Sequence, residues 1–452
     1  MLTRRLLLSS IASLACLEAI AAALKPAQTG LRGTIDISGY GVRPGKTGDQ
    51  SKALDRLFKE AAEKGLPVFL PAGDYHLSGV SLPDNLWLSG VPGQTRLIHA
   101  GGGSFISGEA LTRITLSDLA FDGGGKSLGD DVQGLLNLRG VTDLKIENCT
   151  ITGSARHGIN AERCGGRITG NSISQAAFSG LYAVESERLA ITANTVSDCG
   201  NGGILVHRWE LGEDNTIVSG NRVFKIGAKD GGTGENGNGI SVFRAGNVMI
   251  MDNHISDCAF SAIRANAATN VQISNNKCLR SGETAIYSEF GFQGAIVSGN
   301  LVDGAANGIL IVNFDEGGRL ATVSDNIIRN LHPDGPYIHD GAGFGFGIAA
   351  EADTVISGNV IENAPKWGLM LGWGPYMRGI VATGNLVRDA GGGCAVTVVE
   401  GAGTALIANN LFLDVKDGAV FGYRWNEKST GDLLVGGSEA FAHLTLTGNR
   451  MA

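Results

Sequence analysis

The chain has 452 residues, with 69 Gly, 10 Pro and only 6% aromatic residues, and this mixture is even from end to end. That evenness argues against a string of separate domains and for one elongated repeat structure. The formal charge of −8 excludes nucleic acid and an anionic membrane surface as expected partners.

Residues 1–23 read as an export signal. Arg4 and Arg5 precede an apolar run from Leu6 to Leu17, and small residues surround Ala21 and Ala23, the arrangement of a cleavable leader. The run is too short to span a membrane. Thr3-Arg4-Arg5 followed by three leucines resembles a twin-arginine signal, which implies the twin-arginine export machinery as a partner and a periplasmic or secreted destination. Cleavage removes Arg4, Arg5 and Glu18, so the mature chain carries −9. No further membrane span is expected in it. Six cysteines remain: Cys149, Cys164, Cys199, Cys258, Cys278 and Cys394. Export after folding in a reducing cytoplasm, and apolar repeat positions for several of them, predict buried free thiols.

Residues 30–110 are expected to form an N-terminal cap and the first coils. Within them, 49–63 has apolar residues at helical spacing, with Asp49 as N-cap and Gly65 as stop. A helix here would cover the open end of a solenoid, which is otherwise an exposed sheet edge.

Residues 111–452 carry a repeat centred on Asn171, Asn194, Asn221, Asn253, Asn276, Asn300, Asn326, Asn359, Asn385, Asn410 and Asn449. The minimal spacing is 23 or 24 residues, and longer gaps are the same unit with a loop inserted. An apolar residue stands three before each Asn, from Ile168 to Leu446, and another two after. Upstream lies a third short run, such as Gly203-Ile-Leu-Val206 or Gly308-Ile-Leu-Ile311. Three period-2 strands per unit bury their inward residues only by stacking on the next coil. The expected fold is therefore all-β, a single-stranded right-handed parallel β-helix with a short capping helix. Coils about 4.8 Å apart make twelve or so into a rod on the order of 55–60 Å long. The ladder Asn is expected to take the left-handed turn conformation and to hydrogen-bond along the axis.

Tyr40-Gly-Val-Arg-Pro-Gly-Lys-Thr-Gly-Asp-Gln50, Val68–Leu77 and Leu86–Val91, with the repeats behind them, resemble the pectate-lyase-like β-helix superfamily. Together with the leader, the chain resembles twin-arginine-translocated β-helix repeat proteins. The resemblance implies the fold and a polysaccharide or oligosaccharide partner. It transfers no catalytic residue: the Asn-Thr-Asp and Asp-Asp patterns of polygalacturonases and the calcium aspartates of pectate lyases have no counterpart here.

Insertions point to one face. Segments 208–214, 313–319, 373–379 and 425–440 follow the Gly-Ile-x-Val strand, and 227–238 and 331–346 precede it, which builds a groove. Alternation predicts two outward columns. The first runs Asn160, Tyr182, Leu205, Ser241, Arg264, Tyr287, Leu310, Ala349, Met370, Thr397, Phe421. The second runs Glu162, Val184, His207, Phe243, Asn266, Glu289, Val312, Glu351, Gly372, Val399, Tyr423.

Candidate catalytic residues are His207, Arg264, Tyr287, Glu289 and Glu351. In β-elimination, His207, Tyr287 or Arg264 supplies the base and a cation neutralises a uronate. In hydrolysis, Glu289 and Glu351 flank the glycosidic bond, roughly 9–10 Å apart by strand spacing. Candidate substrate-binding residues are Arg208 and Arg244 as an anion clamp, and Trp209, Trp367, Trp373 and Trp425 as sugar-stacking platforms. Asp315, Glu316 and Glu289 are a weak calcium set; His332, Asp334, His339 and Asp340 form a polar loop tip, a lid or a metal site. The expected function is a lyase or hydrolase of an acidic polysaccharide; the alternative is a non-catalytic glycan-binding or envelope scaffold rod.

Overall fold

A computed structural model describes residues 33–338 and 341–452; the export-signal reading of residues 1–23, and His339 and Asp340, lie outside them. The chain is an all-β, right-handed parallel β-solenoid of about 14 turns with one short helix. The apolar residues three before each ladder Asn form one continuous row. Ile168 pairs with Ile191, then Val218, Ile250, Ile273, Val297, Val323, Ile356, Ala382, Ile407 and Leu446, each directly above the last. All but Leu446 are fully buried, so the lumen of the solenoid is the main core. Neighbouring coils pair in parallel. Among the described residues the one antiparallel strand pair is the hairpin of Val420–Arg424 with Glu427–Asp432.

The Asn ladder satisfies the turn from within. Asn194 Oδ1 accepts both the backbone N–H and the Nδ2 of Asn171 at 2.9 and 3.0 Å, while Asn194 Nδ2 donates to the Ile168 carbonyl at 2.9 Å. The same three bonds recur coil by coil to Asn449. One expectation is corrected. The left-handed residue is the one before each ladder Asn, for example Ala193, Asp252, Asn275 or Gly299, with φ from +55° to +66°. The ladder Asn itself stays outside that region, because its side chain must point inward along the axis.

The capping helix, α1, is Ser51–Lys64, and Leu54, Leu57, Phe58 and Ala61 on its inner face are buried. Gln50 holds the N-cap position without a side-chain bond, and Asp49 acts from one residue earlier, accepting from Ser51 N–H at 2.9 Å and from Ser78 Oγ at 2.7 Å. Gly65 closes the helix at φ +64°. No helix of the described residues is long and apolar enough to cross a membrane. The six cysteines are buried and unbonded to one another; burial pushes the Cys149 thiol up to about 12.

A second apolar cluster lies outside the lumen, on the outward side of the Gly-Ile-x-Val strands. Leu310, Phe346, Ala349, Trp367, Met370, Ala395, Phe421 and Tyr423 pack there. It corrects the two predicted columns at one coil. Met370 pairs with Ala395, not Thr397, and Thr397 pairs with Tyr423 in the second column where Val399 was expected. The run Gly391–Val399 is apolar or small on both faces, so a slip of two residues leaves its pattern intact.

Candidate functional site

The outward face changes character along the rod. In the middle coils His207 pairs in register with Phe243, then Asn266 and Glu289, while Ser241, Arg264 and Tyr287 form the adjoining column. His207 is half-buried between the ring edges of Tyr182 and Phe243, and its Nε2 lies 3.2 Å from Ser241 Oγ. Burial pulls its pKa down to about 4, so the ring is neutral at pH 7. With Thr233, Glu235, Arg264 and Phe290 it lines a groove of about 390 Å³.

Arg264 closes one end of that groove. Its Nε and Nη2 donate to the two oxygens of Glu289 at 2.6 and 3.0 Å, Nη1 reaches Glu283 Oε2 at 3.3 Å, and the guanidinium lies 4.9 Å from the Tyr287 ring centre. Gly234 packs directly on this guanidinium; at its φ of +139° a Cβ would fall 1.5 Å from Nη1, so glycine there is what lets the 227–238 loop close. Glu289 also accepts from Asn266 Nδ2 at 2.9 Å. Burial raises the Glu289 pKa, against the opposing pull of Arg264. Glu283, 1% exposed, accepts further bonds from Ser261 Oγ at 3.1 Å and from the Tyr337 hydroxyl at 2.7 Å.

Beyond this network lies a roofed pocket of about 190 Å³. The 331–346 loop supplies the roof through Tyr337, Gly341, Ala342 and Phe344, and the floor and walls include Glu283, Tyr287, Leu310, Phe346, Glu351, Met370 and Trp373. Tyr337 pins the roof, since its hydroxyl bonds Glu283 while its ring stacks on Phe260 at 6.2 Å. Glu351 Oε2 accepts the backbone N–H of Phe314 at 2.6 Å. Among the described residues no lysine, arginine or histidine pairs with it. Burial, with Asp315 adding like charge, raises its pKa to about 7 against the Phe314 bond.

The structure thus brings Arg264, Tyr287 and Glu289 together and sets His207 on the far side of Arg264 from Glu351. The register of Glu289, Val312 and Glu351 follows from Tyr287 to Leu310 to Ala349 in the neighbouring column, two coils apart as expected. Glu289 is a bidentate partner of Arg264, however, and is not a free acid or base. The two arginines of the expected anion clamp are held differently. Arg208 is held by Glu185 at 3.2 Å and by the Glu213 carbonyl at 2.8 Å; Arg244 donates to the Trp209 carbonyl and lies over Phe243. Arg208 is thus paired with an acid, whereas Arg244 makes one bond to a neutral carbonyl and has no carboxylate partner among the described residues. Trp367 is corrected. It is buried against Phe346, Phe421 and Tyr423, which leaves it no ring face for a sugar. Trp373 lines the roofed pocket and meets Trp425, half-exposed, edge to face at 5.5 Å. Trp209 is also half-exposed, beneath the Arg163 guanidinium.

Among the described residues no three His, Cys, Asp or Glu side chains gather as a metal set, so Asp315, Glu316 and Glu289 do not form the calcium site that was considered. His332 Nδ1 is 2.7 Å from the Asp334 carbonyl, a local loop contact. Sequence reasoning missed Glu283 and Tyr337. The signal for Glu283 was an acid between small residues, Ser281-Gly-Glu-Thr284, just where the chain enters the outward strand.

Residues 133–330 match the family model described as the right handed beta helix region. The preneck appendage protein of Bacillus phage PZA is 29% identical over 149 residues, an alignment covering 29% of this chain and 17% of that protein. The chain thus spans less than a fifth of the length of the curated relative it matches. Among solved structures, the N-terminal fragment of bacteriophage phi29 gene product 12 gives a TM-score of 0.55 at 16% identity, covering 98% of this chain and 73% of that one. The pre-mature bacteriophage phi29 gene product 12 gives 0.53 at 15% identity, covering 85% and 69%. At these identities the likeness is one of fold.

Proposed function

We propose that the chain hydrolyses a glycan that lies along the outward strand face, with one sugar unit in the roofed pocket and Glu351 as general acid. The observation that carries this reading is Glu351 itself. It is a carboxyl in an aromatic-walled pocket, without a cationic partner among the described residues and with its pKa raised to about 7, so it holds a transferable proton at neutral pH. Protonation of the glycosidic oxygen by Glu351 lets the C–O bond break. Water then adds at the anomeric carbon, and its proton returns to the Glu351 carboxylate, which restores the acid; Glu283, bonded to Arg264, Ser261 and Tyr337, is no freer a base than Glu289. Hydrolysis is favoured over β-elimination. Elimination calls for a cation free to neutralise the uronate; Arg208 and Arg264 are paired with carboxylates, and among the described residues no lysine or arginine lines the pocket.

The test is incubation of the full chain with a panel of neutral, amino and uronate polysaccharides, following reducing ends and the absorbance of unsaturated products. Reducing ends without unsaturation are expected, and Glu351→Gln should lower their release by roughly 10²–10⁴-fold. Release that survives this substitution, or none across the panel, overturns the proposal. One observation favours the second, non-catalytic reading: Glu283 and Glu289 are both tied to Arg264, as in a surface built to bind. Under it, glycan binds and no bond breaks.

A further inference from the structure

The charge of the roofed pocket has a sign that its candidate sugar must match. Two carboxyl groups, Glu283 and Glu351, line it, and among the described residues no lysine or arginine does. The nearest cation in the network, Arg264, is shared between Glu283 and Glu289, whose side chains are 1% and 3% exposed. One positive charge against two buried acids leaves a surplus negative charge beside the pocket, where low dielectric magnifies it. Lys366 is not among the residues that line the pocket; it stands behind the wall, its amine bonded to the Ala342 carbonyl and set over Phe346 and Trp367. The other walls are apolar or aromatic; Arg264 and Lys366 already lie over Tyr287 and Phe346, which leaves Trp373 as the aromatic wall for a bound cation, and ring faces attract cations at up to about 6 Å.

We propose that this pocket selects a sugar bearing a protonated amine, which Glu283 and Trp373 would hold while Glu351 stands opposite as the acid. The inference rests on the saccharide reading above. It separates substrates sharply. A uronate would bring a third carboxylate into the same enclosure and be repelled, whereas an ammonium group compensates the surplus charge. A metal ion is a poorer occupant, since no three metal-ligating side chains converge among the described residues.

Calorimetric titration of the full chain at pH 6 tests this with three oligosaccharides: a glucosamine oligomer, its N-acetylated counterpart of the same linkage, and a uronate oligomer. The amine-bearing oligomer is expected to bind at least about tenfold tighter than the acetylated one, a difference of about 1.4 kcal/mol. Glu283→Gln keeps the size of the side chain and an acceptor for Tyr337, and should erase the preference, bringing the ratio of the two affinities to about one. A thermal melt of the variant checks that it folds; the wild-type comparison stands regardless. Equal affinities, or a uronate bound tightest, overturn the amine inference and leave the saccharide reading intact. Tetramethylammonium quenching tryptophan fluorescence with no sugar bound would do the reverse. Binding of none of these probes overturns both.

Discussion

Glu351 receives one backbone N–H and, among the described residues, no salt bridge, and its burial acts on stability as well as on chemistry. Its pKa rises from an ordinary 4.5 to about 7 on folding, so between those values the folded chain binds more protons at this site than the unfolded one. Stability should therefore fall as pH rises from about 4.5 through about 7, by a total on the order of 3 kcal/mol from this group. Glu351→Gln removes the titration. The variant should melt higher than wild type at pH 8 and nearly with it at pH 4, in calorimetric scans across that range. A wild-type deficit that is the same at both pH values would mean that the carboxyl is not buried as described. Sequence alone put Glu351 in this column and coil, beside Ala350 and Ala352, which give no sign of an enclosure. Its enclosure comes from Trp373 and the 331–346 roof, segments that alternation along one strand does not place. Glu283 was missed for a related reason, since it becomes a site residue only when Tyr337, 54 positions away, folds over it.

At the level of the repeated element, far more was legible. The spacing of eleven asparagines and the apolar row before them gave the coils, their register and the face that carries the loops. What the repeat did not specify was which residue turns left-handed, or the register of the Gly392–Thr397 strand, where small residues on both faces remove the usual cost of a slip. The ladder bonds make a quantitative statement possible. Asn276 Oδ1 satisfies the buried backbone N–H of Asn253, and its Nδ2 satisfies the Ile250 carbonyl. Asn276→Ala orphans both, at roughly 1–3 kcal/mol per group. Asn449 makes the corresponding bonds to Asn410 and Ile407, but there they are only partly buried, and water can replace them. Urea melts should show a markedly larger loss for Asn276→Ala than for Asn449→Ala. Equal losses would count against burial of the ladder as the source of its contribution.

For the whole molecule, stability comes from contacts between adjacent coils, so a terminal coil, with a neighbour on one side alone, needs a cap. The first coils would present an open sheet edge, and α1 covers it by burying Leu54, Leu57 and Phe58 to within 1%, each contributing about 1.5–3 kcal/mol. Placing charges there should undock the helix. Replacing Leu57 and Phe58 together by Asp is expected to expose the underlying strands and drive edge-to-edge association, seen as faster-sedimenting species at micromolar concentration. The roofed pocket draws its residues from Glu283 to Trp373, many coils from the cap. Glycan affinity per folded chain should therefore stay at the wild-type value in the remaining monomer. A variant that stays monomeric with its fold intact would show that α1 does not guard that edge. Loss of the pocket in monomers that keep their strand content would show that the coils are coupled over a longer range than neighbour-to-neighbour packing provides.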